Sequence, residues 1–317
     1  MTVGLVARSC GGFRQSGGLM LYQAGHVRGS AARGRGVLRG AIGALALAMF
    51  LSSGPVSAQR QGNPLEATSS PEARQSAFGS IPLDQLDSQS RAKVDKVLSN
   101  VTLFRRLPVR VIECDPSLYL FLIRHPDVVA NIWEVFGVSQ LHVEQVAPGS
   151  FQAVDTIGTR GKLEILHASD DLHLAFGDGS YEGAMSVRPA RGCFLLILKS
   201  GYLRDTEGRC YITSRMDCFL NVEPGATELV TKVLQPVVSK VIDMNFAQSV
   251  GFVGSLSRTA ELNPRGIQRL STRLKHVRPE VREELAALVA RIGTPRDGRT
   301  DDAEPKLGMS QPKSSRR

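Results

Sequence analysis

Two long apolar segments separated by a four-residue turn constrain this chain more than any other feature. Cys193-Phe-Leu-Leu-Ile-Leu-Lys-Ser-Gly-Tyr-Leu203 and Cys210-Tyr-Ile-Thr-Ser-Arg-Met-Asp-Cys-Phe-Leu220 flank Asp205-Thr-Glu-Gly208. Arms rich in aromatic and aliphatic residues around such a turn predict a β-hairpin. In the second arm Ile212, Met216, Cys218 and Leu220 share one side, and Arg215 and Asp217 share the other. That is the pattern of a sheet with one covered face. After Glu223-Pro-Gly225 the period changes. Leu229, Val233, Val237, Val241, Met244, Gln248 and Phe252 recur at spacings of three and four, which predicts a long amphipathic helix containing Pro236. Laying that helix on the sheet buries both apolar faces.

The first 58 residues read as an export signal behind a leader. Arg28, Arg33, Arg35 and Arg39 precede an apolar run, Ala41 to Leu51, and Val56-Ser57-Ala58 supplies small residues for cleavage after Ala58. Met20 is the alternative start. The run is shorter than the roughly 20 residues that span a bilayer. This leader also accounts for much of the basic charge. Residues 1–58 hold six arginines and no acid, and residues 264–317 hold 13 basic against seven acidic side chains, so the net +9 leaves about −3 for residues 59–263. A basic nucleic-acid-binding core is therefore excluded.

Gln59 to about residue 85 is polar, aperiodic and Pro-containing, and is expected to be a flexible linker. Leu86 to Val101 predicts a short helix, and Val109 to Ile112 a strand. Asp115-Pro116 supplies an N-cap and first-turn proline for a helix that breaks at His125-Pro126 and resumes to Phe136. Period-two segments follow at Leu141–Val146, Phe151–Val154, Lys162–His167 and Leu172–Phe176. Beyond Asn263 a helix is expected over Pro279–Ile292, then a disordered tail from 294 to 317. The fold class is α+β. The main domain is expected at 86–260, with 261–293 as a dispensable helical extension.

The order strand, two Pro-split helices, antiparallel meander and long C-terminal helix resembles the helix-grip superfamily, which includes START lipid-transfer domains, the birch-pollen-allergen family and polyketide cyclases. The resemblance covers about residues 105–258 and rests on element order. It implies a curved antiparallel sheet wrapped around the long helix, with an apolar ligand between them. Ile212, Met216, Cys218 and Leu220 would line that cavity from the sheet, Val237, Val241 and Met244 from the helix, and Trp133 from a wall or the core. It also makes the first and last strands antiparallel neighbours, which implies a Cys114–Cys210 disulfide, with free buried thiols as the alternative.

Signatures of common enzymes are missing: there is no G-x-S-x-G, H-E-x-x-H, C-x-x-C, Walker loop or G-x-G-x-x-G. No catalytic, metal or cofactor residue is assigned. His167 and His173 flank Ser169-Asp170-Asp171 and would need a carboxylate beside both imidazoles to hold a metal; a solvated hairpin end explains them as well. His125 reads as a helix-junction residue and His142 as a solvent-facing strand residue. Arg215, Asp217 and Tyr202, with Ser214, are candidates for holding a ligand's polar head, or else Arg215 and Asp217 form a solvent-side ion pair. The expected function is export followed by non-catalytic binding or carriage of an apolar, lipid-like molecule. The alternatives are a cyclase-like enzyme using the same cavity, and an interaction module whose basic C-terminal segment docks on a membrane surface or acidic partner.

Overall fold

The longest hairpin takes its register from one carboxylate. Asp205 Oδ1 accepts hydrogen bonds from the backbone N–H groups of Glu207 (2.9 Å) and Arg209 (2.8 Å). Gly208 supplies the positive φ of 76° that closes the turn. From there β7 (Ala190–Arg204) and β8 (Cys210–Val222) pair without slippage from Arg204↔Cys210 to Gly192↔Val222. The computed structural model describes residues 63–156, 158–182, 190–223 and 235–294. The expected export signal, the tail and the residues preceding Gln235 lie outside the described residues.

β8 is the axis of an eight-stranded open antiparallel sheet. On its other side it pairs with β1 (Leu103–Arg106) and then β2 (Arg110–Glu113). One extra residue separates Arg106↔Asp217 from Arg110↔Ser214, so the two segments are a single edge broken by a bulge at Pro108. Leu107 still donates to Met216 O (2.8 Å), while Val109 N turns away to Pro64 O (2.8 Å). Beyond β7 the order runs through β6 (Leu172–Tyr181), β5 (Thr159–Ala168) and β4 (Ser150–Val154) to β3 (His142–Ala147).

Each face of the sheet carries its own helices. On one face α1 (Pro71–Phe78) and α2 (Ser88–Leu98) bury Ala73, Ala77, Val94 and Val97 against Phe104, Leu174, Leu195, Ile197 and Phe219. Ser70 caps α1 and Asp87 caps α2. The stretch expected to be a flexible linker therefore contains a core helix. Its two alanines let α1 approach the sheet closely, and so small a stripe gives little hydrophobic period. On the opposite face lie α3 (Pro116–Arg124), α4 (Pro126–Val135) and α5 (Gln235–Leu262). Asp115 caps α3 as expected, and His125 marks the break before α4. Phe246 and Val250 of α5 meet Leu107, Leu198 and Met216.

The largest apolar cluster among the described residues is built from helices and their connections. It joins Leu118 and Leu122 of α3, Val128 and Ile132 of α4, and Leu256 and Ala260 of α5 to α6 (Pro264–Ser271) and α7 (Pro279–Ile292) through Ile267, Leu274, Leu285 and Val289. The C-terminal extension expected to be dispensable is thus core, and a boundary at Asn263 cuts through it. Truncation after Asn263 should lower the melting temperature steeply or abolish cooperative unfolding in circular dichroism. Leu285→Ala, at a fully buried position, should cost about 2–5 kcal/mol in denaturant titration.

Candidate functional site

The alternation along β7 separates a sealed face from a half-covered one. Cys193, Leu195 and Ile197 are buried beneath α1 and α2, whereas Phe194, Leu196 and Leu198, pointing to the side of α3–α5, are only partly covered. Leu163 and Ala175 share that side through the cross-strand pairs Leu163↔Gly177↔Phe194 and Ala175↔Leu196, and they too are half-buried. Three glycines in register, Gly161↔Gly179↔Gly192, extend the row without side chains. Gly177 is required by contact: a Cβ there would come within 2.1 Å of the Phe194 ring. The outcome is a partly covered apolar strip at Ala175, Phe194 and Leu196, flanked by Leu163, which packs toward Ala130, Val143 and Phe151, and by Leu198, which packs toward Leu107, Phe246 and Val250.

The expected cavity-lining residues divide along this strip. Cys218 and Leu220 stand opposite Leu196 and Phe194 and are buried, as is Val241. Met244 is half-buried, and the side chain of Val237 lies outside the described residues. Ile212 and Met216 lie further along the same face. Ile212 is enclosed with Cys114, Tyr119 and Val253, and Met216 packs against Leu107, Phe246 and Val250. At those two positions protein occupies the space expected for a ligand. Trp133 stacks edge-to-face on Phe252 of α5 with centroids 5.6 Å apart, away from the strip.

A polar cluster closes the α3 end of this face. The Tyr119 hydroxyl lies 2.7 Å from both Ser200 Oγ and Ser214 Oγ, and burial raises its pKa. Tyr202 meets Tyr119 edge-to-face and donates to the Asp170 carbonyl, with its own pKa also raised by burial. His173, opposite Leu198 and 4% exposed, has no hydrogen-bond partner on either ring nitrogen among the described residues. Desolvation lowers its pKa from 6.5 to about 4, so it is neutral at physiological pH. His167 pairs with Leu174 instead, beyond a bulge, and the two imidazoles do not face each other. Asp170 pairs with Arg124 at 3.3 Å, and Asp171 accepts from Ser200 N through its carbonyl.

Arg215 and Asp217 point to the other face, under the N-terminal helices. Asp217, 1% exposed, forms a bidentate pair with Arg106 at 2.6 and 3.0 Å. Arg215 stands half-buried opposite Lys199, and desolvation lowers the pKa of both. The pairing partner of Asp217 is thus Arg106, not Arg215, and the pair is buried in the sheet. Two open grooves, of about 690 and 520 Å³, also lie on this face. The larger is bordered by Lys96, Arg160, Lys162, Asp178 and Arg191, and the smaller by Pro71, Phe78 and Phe104.

Cys114 and Cys210 are neighbours, since Cys114 N donates to Cys210 O at 3.0 Å, yet both thiols are free. The spacing of a hydrogen-bonded antiparallel pair is within disulfide range, but burial pushes the Cys114 thiol up to about 12, which starves exchange of thiolate and accords with the alternative of free buried thiols.

No protein-family model matches the chain, and no curated protein matches it. Among solved structures, a hypothetical protein of Helicobacter pylori aligns at 9% identity, over 48% of this chain and 87% of that one, with a TM-score of 0.30. A conserved protein of Geobacillus kaustophilus aligns at 14% identity over 44% and 93%, with a TM-score of 0.27. Apo dicamba monooxygenase aligns at 16% identity over 67% and 62%, with a TM-score of 0.23. Similarity at this level assigns neither a family nor a function.

Two consequences are measurable. Asp217→Ala leaves Arg106 buried without its partner and should cost about 3–5 kcal/mol in denaturant titration. His173 binds a proton more readily in the unfolded chain than in the folded one. Stability should therefore fall as pH drops from 6.5 towards about 4 and level off below. His173→Leu should flatten that part of the profile of melting temperature against pH.

Proposed function

We propose that the chain is a helix-grip-like protein that binds and carries an apolar, lipid-like ligand along the strip of Ala175, Phe194 and Leu196. The observation that carries this reading is the half-covered alternate row of β7, set against the sealed row between its members. An apolar row only partly covered beside side-chain-free glycines is what an aliphatic ligand would cover. The helix-grip reading is supported by element order: the first strand pair lies on β8, α3 and α4 lead to the far edge at β3, the meander returns to β8, and α5 follows. The Tyr119–Ser200–Ser214 hydroxyls give that face a polar end for a headgroup. Export belongs to the same proposal, with a mature chain beginning at Gln59, which N-terminal sequencing of the protein from its host would check. No helix among the described residues is long and apolar enough to cross a membrane.

Cyclase-like catalysis is the second reading, and His173 favours it. It is a neutral imidazole buried on the ligand side with both nitrogens unpartnered among the described residues. A carrier should still bind its ligand after His173→Leu, whereas an enzyme should bind but no longer convert it.

The test is titration with a fluorescent fatty acid. Saturable binding is expected, and Leu196→Trp should weaken it at least tenfold while melting within a few degrees of the parent. Absence of saturable binding by the parent overturns the proposal. So does a Leu196→Trp protein that loses about 1–3 kcal/mol, since that is the overpacking of a filled core.

A further inference from the structure

Three side chains from three different elements converge beside the outer edge strand. Glu134 comes from the last turn of α4, His142 opens β3, and His276 lies in the connection between α6 and α7. Each offers a ligand atom, and the three atoms all lie within 4.8 Å of one another. Glu134 Oε2 is 3.7 Å from His142 Nδ1, and Glu134 Oε1 is 3.8 Å from His276 Nε2. The two imidazoles stand edge to face with centroids 3.7 Å apart.

These separations are too long for direct hydrogen bonds, which span about 2.7–3.2 Å. They are close to those around a shared ion. Ligand atoms about 2.0–2.2 Å from a tetrahedral centre stand about 3.3–3.6 Å from each other. The two Glu134 separations exceed that spacing by a few tenths of an ångström, and all three ligand atoms lie within 4.8 Å, so side-chain rotation is what must bring them onto one ion.

The backbone beneath the three residues is tied together by one buried amide. Asn131, 2% exposed, donates through Nδ2 to Asp127 O (2.9 Å) and to Val143 O (3.0 Å), beside His142. Its Oδ1 accepts from His276 N at 3.2 Å. Asn131 is also one helical turn before Glu134 on α4. A single side chain thus positions the element of every ligand. On the far side of the His142 ring, Nε2 faces Glu144 Oε2 at 3.8 Å. A carboxylate behind a histidine is the arrangement that fixes the ring and raises its basicity when the other nitrogen binds a metal.

We propose that Glu134, His142 and His276 form a mononuclear divalent-cation site, with Glu144 orienting His142. Two imidazoles and one carboxylate select a borderline ion, Zn²⁺ foremost, over Mg²⁺ and Ca²⁺, which take oxygen ligands. Glu134 and His276 are each 39% exposed, which leaves the fourth position to solvent. Because His276 belongs to the C-terminal helices and His142 to the sheet, the ion clamps the helical extension onto the edge of the sheet.

Calorimetric titration of untagged, metal-stripped protein with Zn²⁺ tests this, with Mg²⁺ and Ca²⁺ titrations beside it. One equivalent of Zn²⁺ is expected to bind and to raise the melting temperature, with no measurable Mg²⁺ or Ca²⁺ binding. His142→Gln and His276→Gln should each weaken Zn²⁺ binding at least tenfold, and Glu144→Gln about 10–100-fold. His167→Ala, on β5, should leave affinity unchanged. Circular dichroism of each metal-free variant, matching the metal-free parent, separates loss of a ligand from loss of fold. Failure to bind Zn²⁺ stoichiometrically overturns the site. So does binding that survives both glutamine variants or falls equally in His167→Ala.

Discussion

The register of β8 is the constraint on which the rest of the molecule depends. β8 pairs with β7 along its whole length on one side and with β1 and β2 on the other, so every layer is positioned relative to it. A slip of one residue would exchange its two faces. Asp217 would then lose Arg106, and Phe219 would leave the cluster it forms beneath α1 and α2. The Asp205 turn specifies that register locally, and the buried Asp217–Arg106 pair enforces it from a distance, because an unpaired carboxylate there carries a desolvation penalty of several kcal/mol.

Two adjacent arginines on the edge strand show how the layers are held together. Arg106 turns to the face of α1 and α2 and meets Asp217, while Arg105 turns to the opposite face and meets Asp243 of α5 at 3.0 Å. Strand alternation converts one dipeptide into ties on both sides of the sheet. The exposed pairs, such as Arg209 with Asp205 and Glu207, add little beyond local turn geometry.

The helix side of the sheet is not uniform. Towards α3 and the second half of α5 it is filled, with Ile212 buried and Met216 and Leu198 packed on Phe246 and Val250. Towards β5–β7 it is apolar, glycine-rich and half-covered. Behind α3–α5 stands a second core, held by α6 and α7, whose connection carries His276 to the edge of the sheet. The half-covered strip and the candidate metal site are thus on separate elements, the first on β6 and β7 and the second where α4, β3 and the C-terminal helices meet.

Local chemistry was sufficient wherever a signal is contained within one element. The hairpin, the Asp115 cap, the break at His125-Pro126, the meander and the α+β class all follow from periods, caps and turns that involve near neighbours in sequence. The opposition of Ile212, Met216, Cys218 and Leu220 to Arg215 and Asp217 follows as well, because it needs only the pleat. What sequence could not supply were facts about partners. Leu103-Phe-Arg-Arg106 does not read as a strand because both arginines look solvated until Asp217 and Asp243 are brought to them. α1 looks like linker because its buried stripe is two alanines, and α7 looks dispensable because its apolar residues find their contacts on α3, α4 and α5. Glu134 and His142 are eight residues apart but lie on different elements, and His276 comes from far along the chain; the elements that carry them are joined through Asn131. Which half of the apolar face is filled and which is open was likewise decided by tertiary structure, since burial depends on what other elements set against a residue and not on the residue itself.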